Sequence, residues 1–325
     1  MSIFIFISQL LIVPVLSPLA VGIIRKCKAR MQNRVGASIF QPYWNLRKLF
    51  CKDEVISEDA SWISRFAPYL IFVITLVVGA SIPVITTITP MLGGGEGAPF
   101  VSFLTTGDFI VIVYLFALMT FFLALLGMDS GGGFGGFGSS REMTMAALAE
   151  GGLFFSLLVA SIAAQNGNIM TITDHLQGLS FQAFMPLVIA FVAFFIALLA
   201  ENGRFPVDNP STHLELTMIH EAMILECSGK RLALMEWAAS NKLFIFIALG
   251  ANVFFPWGIV TSSASLSLGA LLFSVFLFIV KALVLLASIA FIESTMAKFR
   301  IFRVPDLLFT SFVLGVIALC IIITF

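Results

Sequence analysis

The most polar long segment of this sequence, residues 200–229, places acids and imidazoles between two hydrophobic runs. Ionisable groups beside a bilayer are costly and usually serve a function. His213 and His220 lie two helical turns apart, about 10 Å, so they cannot bind one metal together. His220-Glu221 begins like the H-E-x-x-H signature of zinc proteases, but Ile224 replaces the second histidine. The sequence therefore predicts no metal site here, and the chemistry that remains is proton transfer.

The same segment is predicted to form a rigid turn followed by a helix. The turn R-F-P-V-D-N-P holds two prolines, and each proline fixes its own φ and restricts the residue before it. Thr212-His-Leu-Glu215 matches a capping box, which predicts a helix from there to about Gly229. Glu215 and Glu226 then share one face of that helix, and His213 and His220 share the opposite face.

The elements that must position these groups are membrane-spanning helices. The chain has 325 residues, 59% hydrophobic and 11% charged, with a mean hydropathy of +1.05. A soluble domain cannot bury that much apolar surface, and a formal net charge of zero excludes a general attraction to nucleic acid. The sequence predicts an all-α polytopic membrane protein, one membrane domain over residues 1–325 with eight transmembrane helices. Runs of about 20 residues, enough to cross a bilayer, fall near 2–24, 66–90, 108–127, 141–165, 184–202, 240–260, 266–292 and 305–325.

The distribution of lysine and arginine predicts the orientation of these spans. The loop 25–65 contains nine of these residues, whereas the loops 91–107, 166–183 and 258–266 contain none. Both termini are therefore predicted on the outer, periplasmic side. The predicted cytoplasmic loops are 25–65, 128–140, 203–239 and 293–304.

Two features of the cytoplasmic loops carry structural predictions. Gln41–Lys52 interleaves aromatic and basic residues, which is typical of an amphipathic helix at the membrane interface. Within the glycine-rich stretch 131–138, residues 133–138 match G-x-G-x-x-G, but the stretch joins two spans and lacks the βαβ setting of a dinucleotide site. We expect a flexible loop there, with Ser139-Ser-Arg-Glu142 as the capping box that opens the fourth span.

Two ionisable residues, Glu150 and Lys281, fall deep inside predicted spans, far from the span ends. Glu150 lies about 13 Å into the fourth span, and an intramembrane carboxylate at that depth favours a proton-carrying role. Lys281 lies about 16 Å from the cytoplasmic end of the seventh span, so we expect it to pair with a carboxylate. The predicted proton or ion relay groups are Glu150, Glu201, His213, Glu215, His220, Glu221, Glu226, Lys281 and Glu293.

The chain offers no catalytic centre of its own. Its four cysteines lie far apart without a C-x-x-C pair, so we expect neither zinc nor an iron–sulfur cluster. The sequence also contains no nucleophile–base set and no phosphate loop. By itself the chain is predicted to be a membrane conduit or a docking subunit.

Several short motifs, taken together and in order, resemble a known family. They are residues 30–36 (R-M-Q-N-R-V-G), 48–52 (K-L-F-C-K), Arg141 with Glu150, 200–208 (A-E-N-G-R-F-P-V-D), 255–258 (F-P-W-G) and 293–300 (E-S-T-M-A-K-F-R). Over nearly its whole length the chain is similar to the membrane subunit shared by respiratory complex I (its subunit 1) and the energy-converting group 4 nickel–iron hydrogenases. The last two motifs resemble the hydrogenase versions, in the formate hydrogenlyase and hydrogenase-4 component C-like branch.

This resemblance implies a non-catalytic subunit that docks a soluble electron-transfer arm and links electron transfer to proton or ion translocation in the bacterial cytoplasmic (inner) membrane. The implied partners are hydrogenase-like large and small subunits with iron–sulfur clusters and a nickel–iron centre, and antiporter-like membrane subunits. No cofactor is expected in this chain, although the complex I members form a quinone chamber at this place. The residues implied at the docking or quinone-like loop surface are Arg30, Arg34, Gln41, Lys48, Arg141, Arg204 and Asp208.

Two alternatives stay open at this point. Ser211, His213 and Asn45 stand where the family usually has carboxylates, which leaves open whether the assembly uses hydrogen, quinone or another redox partner. One alternative is therefore the quinone-site subunit of a complex I-type quinone reductase. The other belongs to a different class, a free-standing secondary transporter of eight spans.

Overall fold

The computed structural model shows an all-helical chain and describes residues 2–57, 60–84, 86–87, 107–129, 131–178, 181–208, 219–260 and 268–324. Its helices are α1 (Ser2–Met31), α2 (Gln41–Phe50), α3 (Trp62–Ser81), α4 (Phe109–Asp129), α5 (Gly133–Ala164), α6 (Ile169–Leu176), α7 (Phe181–Glu201), α8 (His220–Met223), α9 (Gly229–Val253), α10 (Leu268–Thr295) and α11 (Val304–Thr324), with a 3₁₀ turn at Ile301–Arg303. Within the described residues, seven helices are long and apolar enough to cross a membrane: α3, α4, α5, α7, α9, α10 and α11. The chain is a polytopic membrane protein, as its hydropathy predicted.

Helix α9 is the most enclosed of the spanning helices. It packs against α1 and α3, and every residue from Asn241 to Val253 is buried. Its Phe246 stacks on Phe116 of α4, with ring centroids 4.8 Å apart. Helix α5 forms a second centre, packed against α4, α7 and α11. A polar side chain on the inner part of α9 is therefore surrounded by protein and not by lipid.

The glycine-rich stretch 131–138 is not a flexible loop, contrary to the prediction. Helix α5 begins at Gly133, eight residues before the predicted span, and takes in most of the stretch. A Cβ on Gly135 would lie 2.0 Å from the carbonyl oxygen of Gly127, so a residue without a side chain is required where α4 and α5 meet. Ser139 lies inside the helix and donates its hydroxyl to backbone carbonyls of α4 and α5, so it does not cap the span.

The predicted helix from Thr212 to about Gly229 is also wrong over its described part. The only helix there is the four-residue α8, and Ile224–Glu226 forms turns. The Ser228 hydroxyl accepts from the Val55 N–H and donates to the Val55 carbonyl, both at 2.8 Å, which holds this segment in extended form against the first loop. Residues 209–218, with the predicted Ser211, His213 and Glu215, lie outside the described residues.

Helix α9 begins at Gly229, eleven residues before the predicted start at 240. Its first turns carry polar residues such as Lys230 and Glu236, which hydropathy assigns to a loop. The predicted short helix of the first loop is present as α2, which buries Pro42 and Leu46. The ring of Trp237 packs on Phe72 of α3 and Phe50 of α2 (centroids 5.0 and 6.1 Å), so α2 is fixed to the start of α9.

Candidate functional site

One end of the bundle, here called the polar end, gathers charged groups from six segments. These are the end of α1, the start of α5, the end of α7 with the turn 202–208, α8, the middle of α9, and the end of α10 with residues 296–300. Helix α7 stops at Glu201 because Gly203 takes the left-handed conformation (φ +55°) and Pro206 cannot continue a helix. The turn therefore projects its charged side chains towards the neighbouring elements.

Glu201 forms a buried ion pair with Lys242 of α9. Lys242 Nζ donates to Glu201 Oε2 at 2.7 Å, and the two side chains are only 8% and 2% exposed. The other carboxylate oxygen, Glu201 Oε1, is buried and has no hydrogen-bond partner within the described residues. Buried polar atoms usually have a partner, so this oxygen is the atom of the polar end best placed to accept a proton or a hydrogen bond.

Asp208 fixes the far side of the turn. Its Oδ1 accepts from Lys298 Nζ at 2.6 Å, and its Oδ2 accepts from the His220 backbone N–H at 3.4 Å. The Phe299 backbone N–H donates to the Pro206 carbonyl at 2.9 Å. The turn is thus held between α8 and the segment that follows α10.

Glu293, at the end of α10, is clamped by two cations. Its oxygens accept from Lys28 of α1 at 3.2 Å and from Arg204 at 3.1 Å, and its side chain is nearly fully buried. Lys28 also lies over the Phe205 ring, 4.8 Å from the centroid. Both Glu293 oxygens are therefore engaged, in contrast to the open oxygen of Glu201.

Glu201 also lines a small cavity. Its volume is about 10 Å³, room for about one water molecule. Its acidic lining comes from three elements: Glu142 of α5, Glu201 of α7 and Asp208 of the turn. The charges of Lys242, Glu201 and Asp208 all act on Glu142.

A larger cavity of about 140 Å³ lies on the other side of the same turn. Asn202 and Arg204 line this cavity, whereas Glu201 and Gly203 line the small one, so the backbone of residues 201–204 separates the two. The other polar lining residues of the larger cavity are Arg25, Asn45, His220, Glu221, Glu236 and Ser240.

His220 contributes a neutral imidazole to this wall. Burial lowers the pKa of His220 to about 4, and the nearby charges of Lys242 and Arg204 act in the same direction, while Asp208 opposes them. At neutral pH the ring therefore carries no charge. It can accept a proton at one nitrogen and donate one from the other.

Glu150 lies apart from both cavities, on a wide apolar groove of about 650 Å³ between α4 and α5. Tyr114, Phe121 and Met143 are among the residues that line this groove. The charges of Glu201 and Lys242 nevertheless act on Glu150. The Glu201–Lys242 pair is thus within electrostatic range of both acids of α5, Glu142 and Glu150.

Among the described residues, Lys281 has no carboxylate partner, contrary to the expectation from the sequence. Its Nζ donates to the carbonyls of Phe255 at 2.8 Å and Ala251 at 3.3 Å, and to Asn252 Oδ1 at 3.4 Å. The carbonyls at a helix C-terminus lack intrahelical partners and carry partial negative charge. Lys281 therefore caps the end of α9. From the sequence alone, such a cap cannot be distinguished from an ion pair with a carboxylate.

The other predicted residues lie outside the polar cluster. Glu226 is exposed and lines a separate cavity of about 20 Å³ with Cys227 and Arg231. Burial raises the pKa of the Cys227 thiol to about 11, so it is not a reactive thiolate. The predicted docking residues of the first loop are exposed at the surface or pair locally there, and Arg141 is half-buried on α5: Arg30, Arg34, Gln41, Lys48 and Arg141.

The fold and the site together place this chain in a class of polytopic helical membrane proteins that have a buried ion-pair network at one end of the bundle. The sequence model of one such family, described as NADH dehydrogenase, matches residues 2–324, and the chain belongs to this family. It is 31% identical over 312 residues to formate hydrogenlyase subunit 4 of Escherichia coli (strain K12), covering 96% of each chain. It is 32% identical over 312 residues to hydrogenase-4 component C of the same organism, covering 96% of this chain and 93% of the relative.

A more distant sequence relative and one solved structure are also similar to this chain. A subunit of the NADH-quinone oxidoreductase of Syntrophotalea carbinolica is 30% identical over 213 residues, 59% of each chain. A chain of the membrane-bound sulfane sulfur reductase, an archaeal respiratory membrane complex, superimposes with a TM-score of 0.80 at 20% identity, covering 99% of this chain and 100% of that one. The predicted resemblance to the complex I and hydrogenase membrane subunits is confirmed.

Sequence reasoning missed four residues of the polar end: Lys28, Glu142, Lys242 and Lys298. It assigned Glu142 to a helix cap, Lys28 and Lys298 to cytoplasmic loops, and Lys242 to the start of the predicted span 240–260. The available signal for Lys242 was its place immediately before the apolar run that starts at Leu243. That signal becomes informative only when the preceding polar residues are known to be helical.

Proposed function

We propose that the chain is the coupling and docking subunit of a hydrogenase-type, complex I-like oxidoreductase in the bacterial inner membrane. It links electron transfer in an iron–sulfur arm to the translocation of protons or another cation. In this proposal α1, 30 residues and about 45 Å long, is the eighth span. Both termini then lie on the outer side, and the polar end faces the cytoplasm.

The observation that supports this proposal is the series of polar spaces around the turn 201–204. The 140 Å³ cavity reaches the turn from one side, and the one-water cavity that Glu201 lines lies on the other. One carboxylate oxygen of Glu201 is buried without a partner among the described residues. A proton that enters the larger cavity meets the neutral His220 ring and then Glu142, Glu201 and Asp208. Carboxylates around a single water molecule are suited to pass protons one at a time.

The surface of the first loop supports the docking part of the proposal. Arg30, Arg34 and Lys48 are exposed, and α2 is anchored to α1 and α9. In the proposed assembly the iron–sulfur small subunit and the large subunit bind this surface, and antiporter-like membrane subunits bind elsewhere on the bundle. The clusters and a nickel–iron centre belong to those partners, and this chain holds no cofactor.

A quinone-reducing assembly is the second candidate, because a subunit of NADH-quinone oxidoreductases is among the relatives of this chain. The larger cavity is the place where a quinone headgroup would bind. Its volume of about 140 Å³ is below the roughly 300–1,000 Å³ of typical small-molecule sites. A quinone would have to widen the cavity, so we favour proton supply. A free-standing transporter, the third class, would be isolated without iron–sulfur partners.

The test is redox-driven ion translocation by the intact complex in proteoliposomes. We expect Glu201→Gln and Glu142→Gln to lower the number of ions moved per electron while electron transfer continues. Asp306→Asn, an exposed carboxylate at the start of α11, is the matched control. Translocation at the wild-type ratio in both variants would refute the relay. Turnover that depends on added quinone would favour the second candidate, and a chain isolated alone would favour the third.

A further inference from the structure

The exposed residues that line the larger cavity of the polar end come from α1 and α9. The cavity walls are built by α1, α2, the turn after α7, α8 and α9. Of the lining residues, Arg25 of α1 and Glu236 of α9 are exposed, whereas the others are half-buried or buried. Arg25 and Glu236 therefore mark a charged opening of this cavity, and the turn with Asn202 and Arg204 forms part of its inner wall.

The periodicity of α9 places Glu236 on the cavity. Glu236, Ser240 and Leu243 follow one another at intervals of four and three residues, so they share one face of the helix, and all three line the cavity. The Ser240 hydroxyl donates to the Glu236 backbone carbonyl at 2.9 Å. The neighbouring Trp237 ring packs on aromatic rings of α2 and α3. Glu236 is thus carried by a fixed part of the helix and meets both the solvent and the cavity.

Glu236 differs from three other carboxylates of the polar end because no cation engages it. Those three accept from a lysine or an arginine at 2.6 to 3.2 Å: Glu201, Asp208 and Glu293. Glu236 makes no ion pair within the described part of the chain, although Arg25 lines the same cavity. An exposed carboxylate outside any ion pair can exchange its proton with solvent without first breaking a salt bridge.

We propose that Glu236 is the entry acid of this site, which takes protons from solvent and passes them to water in the larger cavity. The inference rests on the proposed function and names the group that supplies its proton. A hydronium ion at the opening gives its proton to the Glu236 carboxylate, where an O–H bond forms and a water molecule is left. Glu236 then gives this proton to a water molecule in the cavity, and the carboxylate is restored. The cavity volume of about 140 Å³ has room for several water molecules.

The lining of the cavity suits it to carry the proton inward from Glu236. Its neutral polar side chains include Asn45, Asn202 and Ser240, and water in a cavity is held by such groups. The His220 ring, on the same cavity, can accept a proton at one nitrogen and release one from the other. The other charged groups that face the cavity come from α1, the turn and α8: Arg25, Arg204 and Glu221.

The test measures the initial rate of redox-driven proton translocation by the intact complex in proteoliposomes at several pH values. We expect Glu236→Gln to lower this rate about tenfold at neutral pH, less than the roughly 10²–10⁴-fold typical of general acid–base groups, because solvent protons still reach the opening. The number of protons moved per electron should stay the same. Without the entry acid, hydronium must enter directly, so the rate of the variant should fall with rising pH in proportion to the hydronium concentration. Glu236→Asp keeps a carboxylate and should restore most of the rate and the weaker pH dependence of the wild type.

The control is Asp306→Asn, which removes an exposed carboxylate that does not line the cavity and should keep the wild-type rate. Because Glu236 is exposed, its replacement should not prevent assembly. A wild-type rate and pH profile in Glu236→Gln overturns the inference, and so does a loss that Glu236→Asp fails to restore. If Glu201→Gln and Glu142→Gln lower the ratio of ions to electrons while Glu236→Gln keeps the wild-type rate, the proposed function stands and this inference fails. If those two variants keep the wild-type ratio, both fail.

Discussion

Two lysines inside spanning helices of this protein, Lys242 of α9 and Lys281 of α10, are held in opposite ways. Lys242 is bound to Glu201, a carboxylate that lines a cavity and has one oxygen without a partner among the described residues. Lys281 is bound to the carbonyls that end α9 and to Asn252, which in turn donates to the carbonyls of Pro83 and Val84. The first arrangement changes charge when a proton arrives, because a carboxylate titrates. The second does not, because carbonyls do not titrate.

This difference separates a functional cation from a structural one. A lysine that caps a helix end stabilises one conformation, since its partners are fixed by the backbone. A lysine opposite a titratable acid has two states of different charge. The comparison indicates that the coupling chemistry of this chain lies at the polar end, around α7 and α9, and that the Lys281 region holds the bundle together.

The largest difference should appear when each lysine is replaced by methionine. Lys242→Met leaves Glu201 buried without its cation, and we expect a loss of about 3–5 kcal/mol in stability. Lys281→Met leaves neutral carbonyls unpaired and should cost about 1–3 kcal/mol. Thermal unfolding of the detergent-solubilised complex measures both. Adding Glu201→Gln should recover most of the loss in the first case. Equal losses in the two single variants would remove the distinction.

A smaller expected effect is the change of folding stability with pH, which should come from the polar end. The pKa of His220 is lowered to about 4 in the folded chain, from an ordinary value of 6.5, mainly by burial. Between these values the unfolded chain binds more protons, so stability is lost as the pH falls from about 6.5 to about 4, at about 1.4 kcal/mol per pH unit. His220→Gln should flatten this part of the pH–stability curve. An unchanged slope would show that His220 is not neutral in the folded state.

Features of the fold and site that depend on residues close together in sequence were predictable, and contacts between distant segments were not. Hydropathy and motif order predicted an all-helical membrane protein, its family and the helix α2, because these depend on neighbouring residues. The turn with Glu201, Arg204 and Asp208 was also predicted, because prolines restrict the backbone locally. The partners of those side chains come from α1, α8, α9 and the end of α10, far away in sequence, and were not predictable.

The wrong predictions share one physical cause. Residues 131–138 were taken as a loop because glycine is flexible when free, but here its small size serves close packing, as at Gly135 against Gly127. Lys281 was expected to need a carboxylate because charge attracts charge, but a helix end supplied the oxygen atoms. In both cases the residue type indicated what the residue can do, but the sequence did not indicate its partner, because tertiary packing sets the partner.

On the structural side of the comparison, Asn252→Ala should have a moderate effect. Asn252 is fully buried, and its amide N–H groups donate to the carbonyls of Pro83 and Val84 at 2.5 and 3.3 Å. Alanine leaves these acceptors unpaired, so we expect a loss of about 1–3 kcal/mol with no change in ions moved per electron. Thermal unfolding and the proteoliposome assay measure the two quantities. A change in the ion ratio would give the Lys281 region a part in coupling.

The smallest effect on stability should come from the exposed basic loop. Arg30 is exposed and makes no ion pair with any described residue, so Arg30→Gln should change stability by less than about 0.5 kcal/mol. Its charge is available to a partner, because it is not used by the network that engages Lys28 two residues earlier. We therefore expect Arg30→Gln to reduce the co-purification of the iron–sulfur arm at low salt, and less strongly at high salt, since surface charges are screened there. Asp306→Asn, at the surface of α11, should leave that yield unchanged. A full yield of the arm from Arg30→Gln membranes at low salt would move the docking surface away from the first loop.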